Sequence, residues 1–284
     1  MRAAPRPGER GAALIIVLWI CAVVALLAGA FAGTVGLEAR RTANMVAAAQ
    51  ARALIDAGIA HAVARLTHPD PSRRPVADGR PLAVVEDGAA LTLRLWDETG
   101  RLDLNRAPPE LLSAVLAEAA GADGRRAAAL ALARREAGRP LSSVLDLGGP
   151  DGLDAAAFAR VAALVTVHNA LETGGVSAAA APEALLRAWP KLSGADARGL
   201  LEARERGQPV REDLPLRLAT LGLMSNAPAG QVFTVRVQVE TDASARASAE
   251  AILWIAVDGR SAYRVLEWRE PAPDLSFPDT DPPR

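Results

Sequence analysis

Three aspartates, Asp146, Asp151 and Asp154, stand in one glycine-rich loop, "DLGGPDGLD". Their carboxylates could present oxygens to a hard cation such as calcium, although the spacing is not that of an EF-hand. Asp154 also heads the run "DAAAFARVAALV", where an N-cap explains it without a metal. The histidines His61, His68 and His168 are far apart and match no metal-ligand spacing such as His-Glu-x-x-His. The one cysteine, Cys21, lies inside an apolar run, so the rest of the chain has no disulfide framework, cysteine zinc site or cysteine nucleophile. No serine sits in a Gly-x-Ser-x-Gly elbow, and no glycine-rich loop precedes a Lys-Ser/Thr pair. No catalytic constellation results, and the chain reads as a non-enzyme.

The remaining chemistry is cleavage near the N-terminus. From Gly11 to Leu37 no residue is charged, a run longer than a signal-peptide core and long enough to cross a bilayer. Arg2, Arg6 and Arg10 against Glu9 form a basic flank expected to stay in the cytoplasm while the body is exported. Two kinds of cut compete. Ala28-Gly29-Ala30 and Ala30-Phe31-Ala32 both offer small-residue sites that would release the body, whereas a cut after Gly11 would leave the apolar helix on the mature protein.

The elements that must carry these features follow from pattern. Beyond the apolar run, an Ala-rich segment continues without proline until Pro69, with Ile55, Ile59, Val63 and Leu66 forming one apolar stripe. Residues 82–105, "LAVVEDGAALTLRLWDETGRLDLN", read as a meander: a strand, an Asp87-Gly88 turn, an alternating strand, another turn and a short third strand. From Asn105 to about Leu223 the pattern is helical; strands then return as "QVFTVRVQVE", "SAEAILWIAV" and "AYRVLEW", the last two joined by Asp258-Gly259. The expected fold class is α+β, an N-terminal helix packed on an antiparallel sheet with an all-α domain inserted between strands.

That insert repeats itself. Ala107-Pro108-Pro109-Glu110-Leu111-Leu112 recurs as Ala181-Pro182-Glu183-Ala184-Leu185-Leu186, and Gly121-Ala122-Asp123 as Gly194-Ala195-Asp196. Pro140-Leu141 through Leu147 likewise matches Pro209-Val210 through Leu216. Each unit reads as proline opening a helix, glycine at a helix-helix turn with Asp near the next N-terminus, and proline opening a third helix. The units resemble helix-hairpin-helix modules, which elsewhere grip nucleic-acid backbones. Here each turn has one glycine where the binding form has two, and Arg106 to Arg217 holds equal numbers of basic and acidic residues. The formal net charge of the whole chain is −1. No surplus of cations is available to displace counterions from phosphate, so nucleic acid is not expected as a partner. A membrane-anchored DNA-binding or DNA-uptake protein is the alternative.

The basic leader ending in Gly11, "RGAAL", "GRLDLNRAPPELL" and the doubled α-unit together resemble the K-type minor pseudopilin of type II secretion, general secretion pathway protein K. The resemblance implies prepilin peptidase cleavage between Gly11 and Ala12, with N-methylation of Ala12. It implies partnership with the I- and J-type minor pseudopilins in a tip complex that initiates and caps the pseudopilus. It also implies a single-pass inner-membrane protein with its head in the periplasm. Ile16, the fifth mature residue, stands where major pseudopilins carry Glu, a departure that K-type members share. Ile55, Ile59 and Val63 are expected to pack against partner helices. Some relatives carry calcium in the helical domain, which would make Asp146, Asp151 and Asp154 its candidate ligands. The implied organisation is a leader (1–11), a transmembrane helix (12–37), its continuation (38–68), a sheet (69–104 and 224–270), the insert (105–223) and a disordered tail (271–284).

Overall fold

The computed structural model describes residues 7–148, 152–171, 174–206, 214–224, 231–240, 246–256 and 263–269, with side chains omitted at 7–13, 28, 30–37, 39, 216 and 246. The expected tail and the Asp258-Gly259 turn fall outside them. The chain divides into two compact units, Met1–Ala53 and Leu54–Arg284.

The first unit holds the greater part of helix α1 (Pro7–Leu66). Its side chains from Leu14 to Leu27 are mostly apolar and exposed, Trp19 at 69% and Leu26 at 74%. The sequence reading of a bilayer-crossing helix is corrected here: among the described residues, no helix is long and apolar enough to cross a membrane. The single-pass inner-membrane topology expected from that helix falls with it.

In the second unit the end of α1 lies on a five-stranded antiparallel sheet of order β1-β2-β7-β8-β9. The strands are β1 (Asp78–Glu86), β2 (Ala89–Asp97), β7 (Val232–Glu240), β8 (Arg246–Ile255) and β9 (Tyr263–Arg269). Asp87 and Gly88 both have positive φ, 49° and 79°, as a two-residue hairpin with the sheet's own twist requires. In β2, Leu91, Leu93 and Leu95 are at most 1% exposed. They pair across to Val239, Val237 and Val235 of β7, so period-two alternation puts one apolar face of the sheet under α1. Ile55, Ile59, Ala62, Val63 and Leu66 supply the helix side of this core. Gly58 lets the backbones approach, since a Cβ there would sit 2.6 Å from Val237 Cγ1.

The helical insert leaves the sheet after β2 and returns to it at β7, and it has its own core around Leu102, Leu112, Leu147, Leu185 and Leu218. Two differences from the sequence reading stand out. The third strand, β3 (Leu102–Asp103), is not part of a meander; it pairs in parallel with β4 (Val165–Thr166). The second repeat of the insert is closed in the same way, by β5 (Val176–Ser177) in parallel with β6 (Leu223–Met224). Two-residue strands carry too little alternation to be read inside a helical pattern. Between these pairs lie α2 (Pro109–Glu136) and α3 (Ala155–Ala162) in the first repeat of the insert. The second repeat holds α4 (Glu183–Arg187), α5 (Gly194–Arg206) and α6 (Leu214–Thr220).

Candidate functional site

The residues singled out by sequence do not converge on one place. Gly11 and Ala12 lie in α1, with side chains outside the described residues. Ile16 is 58% exposed on the same helix. Ile55, Ile59 and Val63 are 6%, 4% and 6% exposed, covered by the sheet of their own chain rather than standing free for a partner's helix.

The acidic loop is built for capping. Asp146 Oδ2 accepts from the backbone N–H groups of Ser142 (2.8 Å) and Ser143 (3.1 Å) and from the Ser142 hydroxyl. Ser143 reciprocates as N-cap of the 3-10 turn Val144–Leu147, a complete capping box. Burial works against the charge of Asp146, but these hydrogen bonds outweigh it and hold the carboxyl below its ordinary range. Asp154 is the N-cap of α3, accepting from Ala157 N–H at 2.8 Å. Asp151 lies outside the described residues. Among the described residues no group of three or more His, Cys, Asp and Glu is placed to hold a metal ion.

The repeat extends to contacts that the sequence comparison passed over. In the first repeat Arg135 Nη1 donates to the Ala107 carbonyl at 2.7 Å; in the second repeat, Arg204 Nη1 donates to the matching Ala181 carbonyl at 2.9 Å. Asp123, in the first hairpin, pairs with Arg160 at 2.6 Å, and Asp196 in the second pairs with Arg217 at 2.8 Å. The turns themselves differ. Gly121 breaks α2 with φ 58° and ψ −129°, whereas the left-handed residue ahead of α5 is Lys191, φ 63°, and not Gly194. The signal for these pairs was available as arginines recurring in the later helices of each repeat, at offsets blurred by the shorter second copy.

Sequence reasoning also missed a buried polar hub joining insert to sheet. Glu98, 1% exposed, follows β2 and accepts from Thr234 of β7 (2.7 Å), from Arg101 (2.9 Å) and from Thr166 of β4. Arg101 and Arg236 both lie over the Trp96 ring, at 5.5 and 5.2 Å from its centroid. Asp103 accepts backbone N–H groups of Asn105, Arg106 and Asn169. Burial raises its pKa in spite of those bonds. The Asn169 amide in turn donates to the carbonyls of Arg101 and Gly175. On the other side of the junction, Arg236 and Arg269 clasp Glu250 at 2.8 and 3.1 Å. The carboxylates and the Asn169 amide here have protein partners, although Arg101 Nε has no hydrogen-bond partner among the described residues; the pattern is that of a joint between insert and sheet.

Glu267 of β9 completes that joint, taking the Ser143 hydroxyl at 2.5 Å and the Arg269 guanidinium at 2.7 and 2.8 Å. Burial opposes its charge, but the nearby His168, the hydrogen bonds from Arg269 and Ser143 and the Arg269 charge pull its pKa down to about 2.

No family model matches the chain. No curated protein matches it either. Among solved structures, the fold is similar to a chain in the crystal structure of the GspK-GspI-GspJ complex from the enterotoxigenic Escherichia coli type 2 secretion system, 16% identical with a TM-score of 0.55, over 81% of this chain and 99% of that one.

Proposed function

We propose that this chain is a K-type minor pseudopilin of a type II secretion machinery, a non-enzymatic subunit of the tip complex that initiates and caps the pseudopilus. The observation that carries the reading is the fold: a helix on an antiparallel sheet interrupted by a large helical insert, similar to nearly the whole of one chain in a GspK-GspI-GspJ complex. The polar joint supports it, because an insert clamped to the sheet makes one broad, stiff body suited to a cap. In this reading the I- and J-type pseudopilins are its partners. Prepilin peptidase cuts between Gly11 and Ala12, the new amine of Ala12 is methylated, and Ile16 marks a position with no neighbour above it to pair with. N-terminal sequencing should return a chain starting at Ala12, and a start at Phe31 or Gly33 would remove the pilin claim. Co-expression with I- and J-type pseudopilins should retain all three on a tag placed on this chain; recovery of this chain alone would remove the tip-complex role.

The DNA-binding alternative loses support from the hairpins. Asp123 and Asp196 place carboxylates, each already paired with an arginine, where a phosphate would have to approach the turn.

A further inference from the structure

Of the histidines, His61 is already hydrogen-bonded to Glu86 at 2.8 Å in a half-exposed pair, and His68 lies half-buried against the Asp70 backbone. His168 is different. It follows β4 on the insert, and its enclosed Nε2 has no hydrogen-bond partner among the described residues. The nearest opposite charge is Glu267 Oε2 on edge strand β9, at 3.5 Å, an ion-pair distance just beyond a hydrogen bond. Glu267 already holds a second piece of the insert through the Ser143 hydroxyl.

We propose that His168 is a proton-dependent latch between the helical insert and the outer strand of the sheet, closing on Glu267 when it takes up a proton. Histidine is the side chain whose charge ordinarily changes between about pH 5 and 8. Glu267, held at about 2, stays anionic throughout that window. The other charges around the latch are already matched. Arg269 of β9 lies on Glu267 and on Glu250 of β8, Arg236 of β7 lies on Glu250, and Arg101 lies on Glu98. On the insert side, Asp146 is held by Ser142 and Ser143, while Asp103 and Arg106 bond the backbone of Asn169. A proton on His168 therefore adds one positive charge whose nearest counter-ion is Glu267, and converts a 3.5 Å approach into a charge-assisted hydrogen bond.

Hydrogen exchange on the full chain, corrected for intrinsic rates, tests this at pH 8 and pH 5.5 in segments 141–148, 163–171 and 263–269. Protection should rise about three- to tenfold at the lower pH, the scale of one charge-assisted hydrogen bond. The rise should vanish in His168→Gln and Glu267→Gln and persist in His61→Gln and His68→Gln. An unchanged or falling protection in the native sequence, or a rise that survives His168→Gln, overturns the proposal. Should the variants unfold, nuclear magnetic resonance on the native sequence decides: the His168 ring and the Ser143 amide should titrate with one midpoint. A Ser143 amide indifferent to the titration of His168 overturns the latch.

Discussion

At the scale of single residues, the chain spends its chemically versatile side chains on structure. Asp154 illustrates the point: its carboxylate caps α3, so Asp154→Ala should cost about 1 kcal/mol by chemical denaturation, with or without added calcium. A loss that appears only when calcium is present would return Asp154 to the ligand role. Glu267 makes a prediction with a definite sign. Its folded pKa of about 2 lies below the ordinary 4.5, so the stability it contributes is complete above about 4.5 and is lost as pH falls towards 2. Glu267→Gln should therefore be less stable than the native sequence at pH 6, and the difference should shrink steadily between pH 4.5 and pH 2, as followed by denaturant midpoints. A difference that stays constant over that range contradicts the assignment. The Asp154 cap was legible in the sequence, whereas the partnerships of Glu98, Asp103, His168 and Glu267 were not, because each joins residues far apart in the chain.

At the scale of elements, the sequence was most informative where a period runs long. The alternation in β2 and the α1 stripe gave the buried residues on both sides of the sheet core, since each is fixed by one repeating geometry. Beside that stripe, size at Gly58 is limited by contact. Gly58→Val should destabilise the second unit by about 2 kcal/mol, because the branched side chain would meet Val237 and Leu93 in a close-packed layer. Thermal unfolding checks it, and a midpoint equal to that of the native sequence would refute the packing. The insert was harder to read, as its closing strands are two residues long and its second copy is shortened. Its repeated arginines offer a symmetrical test. Arg135→Met and Arg204→Met should each cost about 1–2 kcal/mol by leaving a carbonyl without its charged donor, and the two losses should add because they lie in separate repeats.

At the scale of the whole molecule, the α+β architecture with its helical insert was legible because the change from period two to helical pattern and back is abrupt at Asn105 and after Leu223. The bilayer-crossing helix was not borne out: among the described residues no helix is long and apolar enough to cross a membrane. What the fold does supply is a sheet and an insert fastened by Glu98 and Glu267, each gripping groups from both. Such a body can present one fixed surface to other subunits. Native mass spectrometry of this chain mixed with I- and J-type pseudopilins tests the central claim most directly. A single species containing all three chains is the predicted result, and a spectrum in which this chain is found only by itself while the other two associate would contradict it.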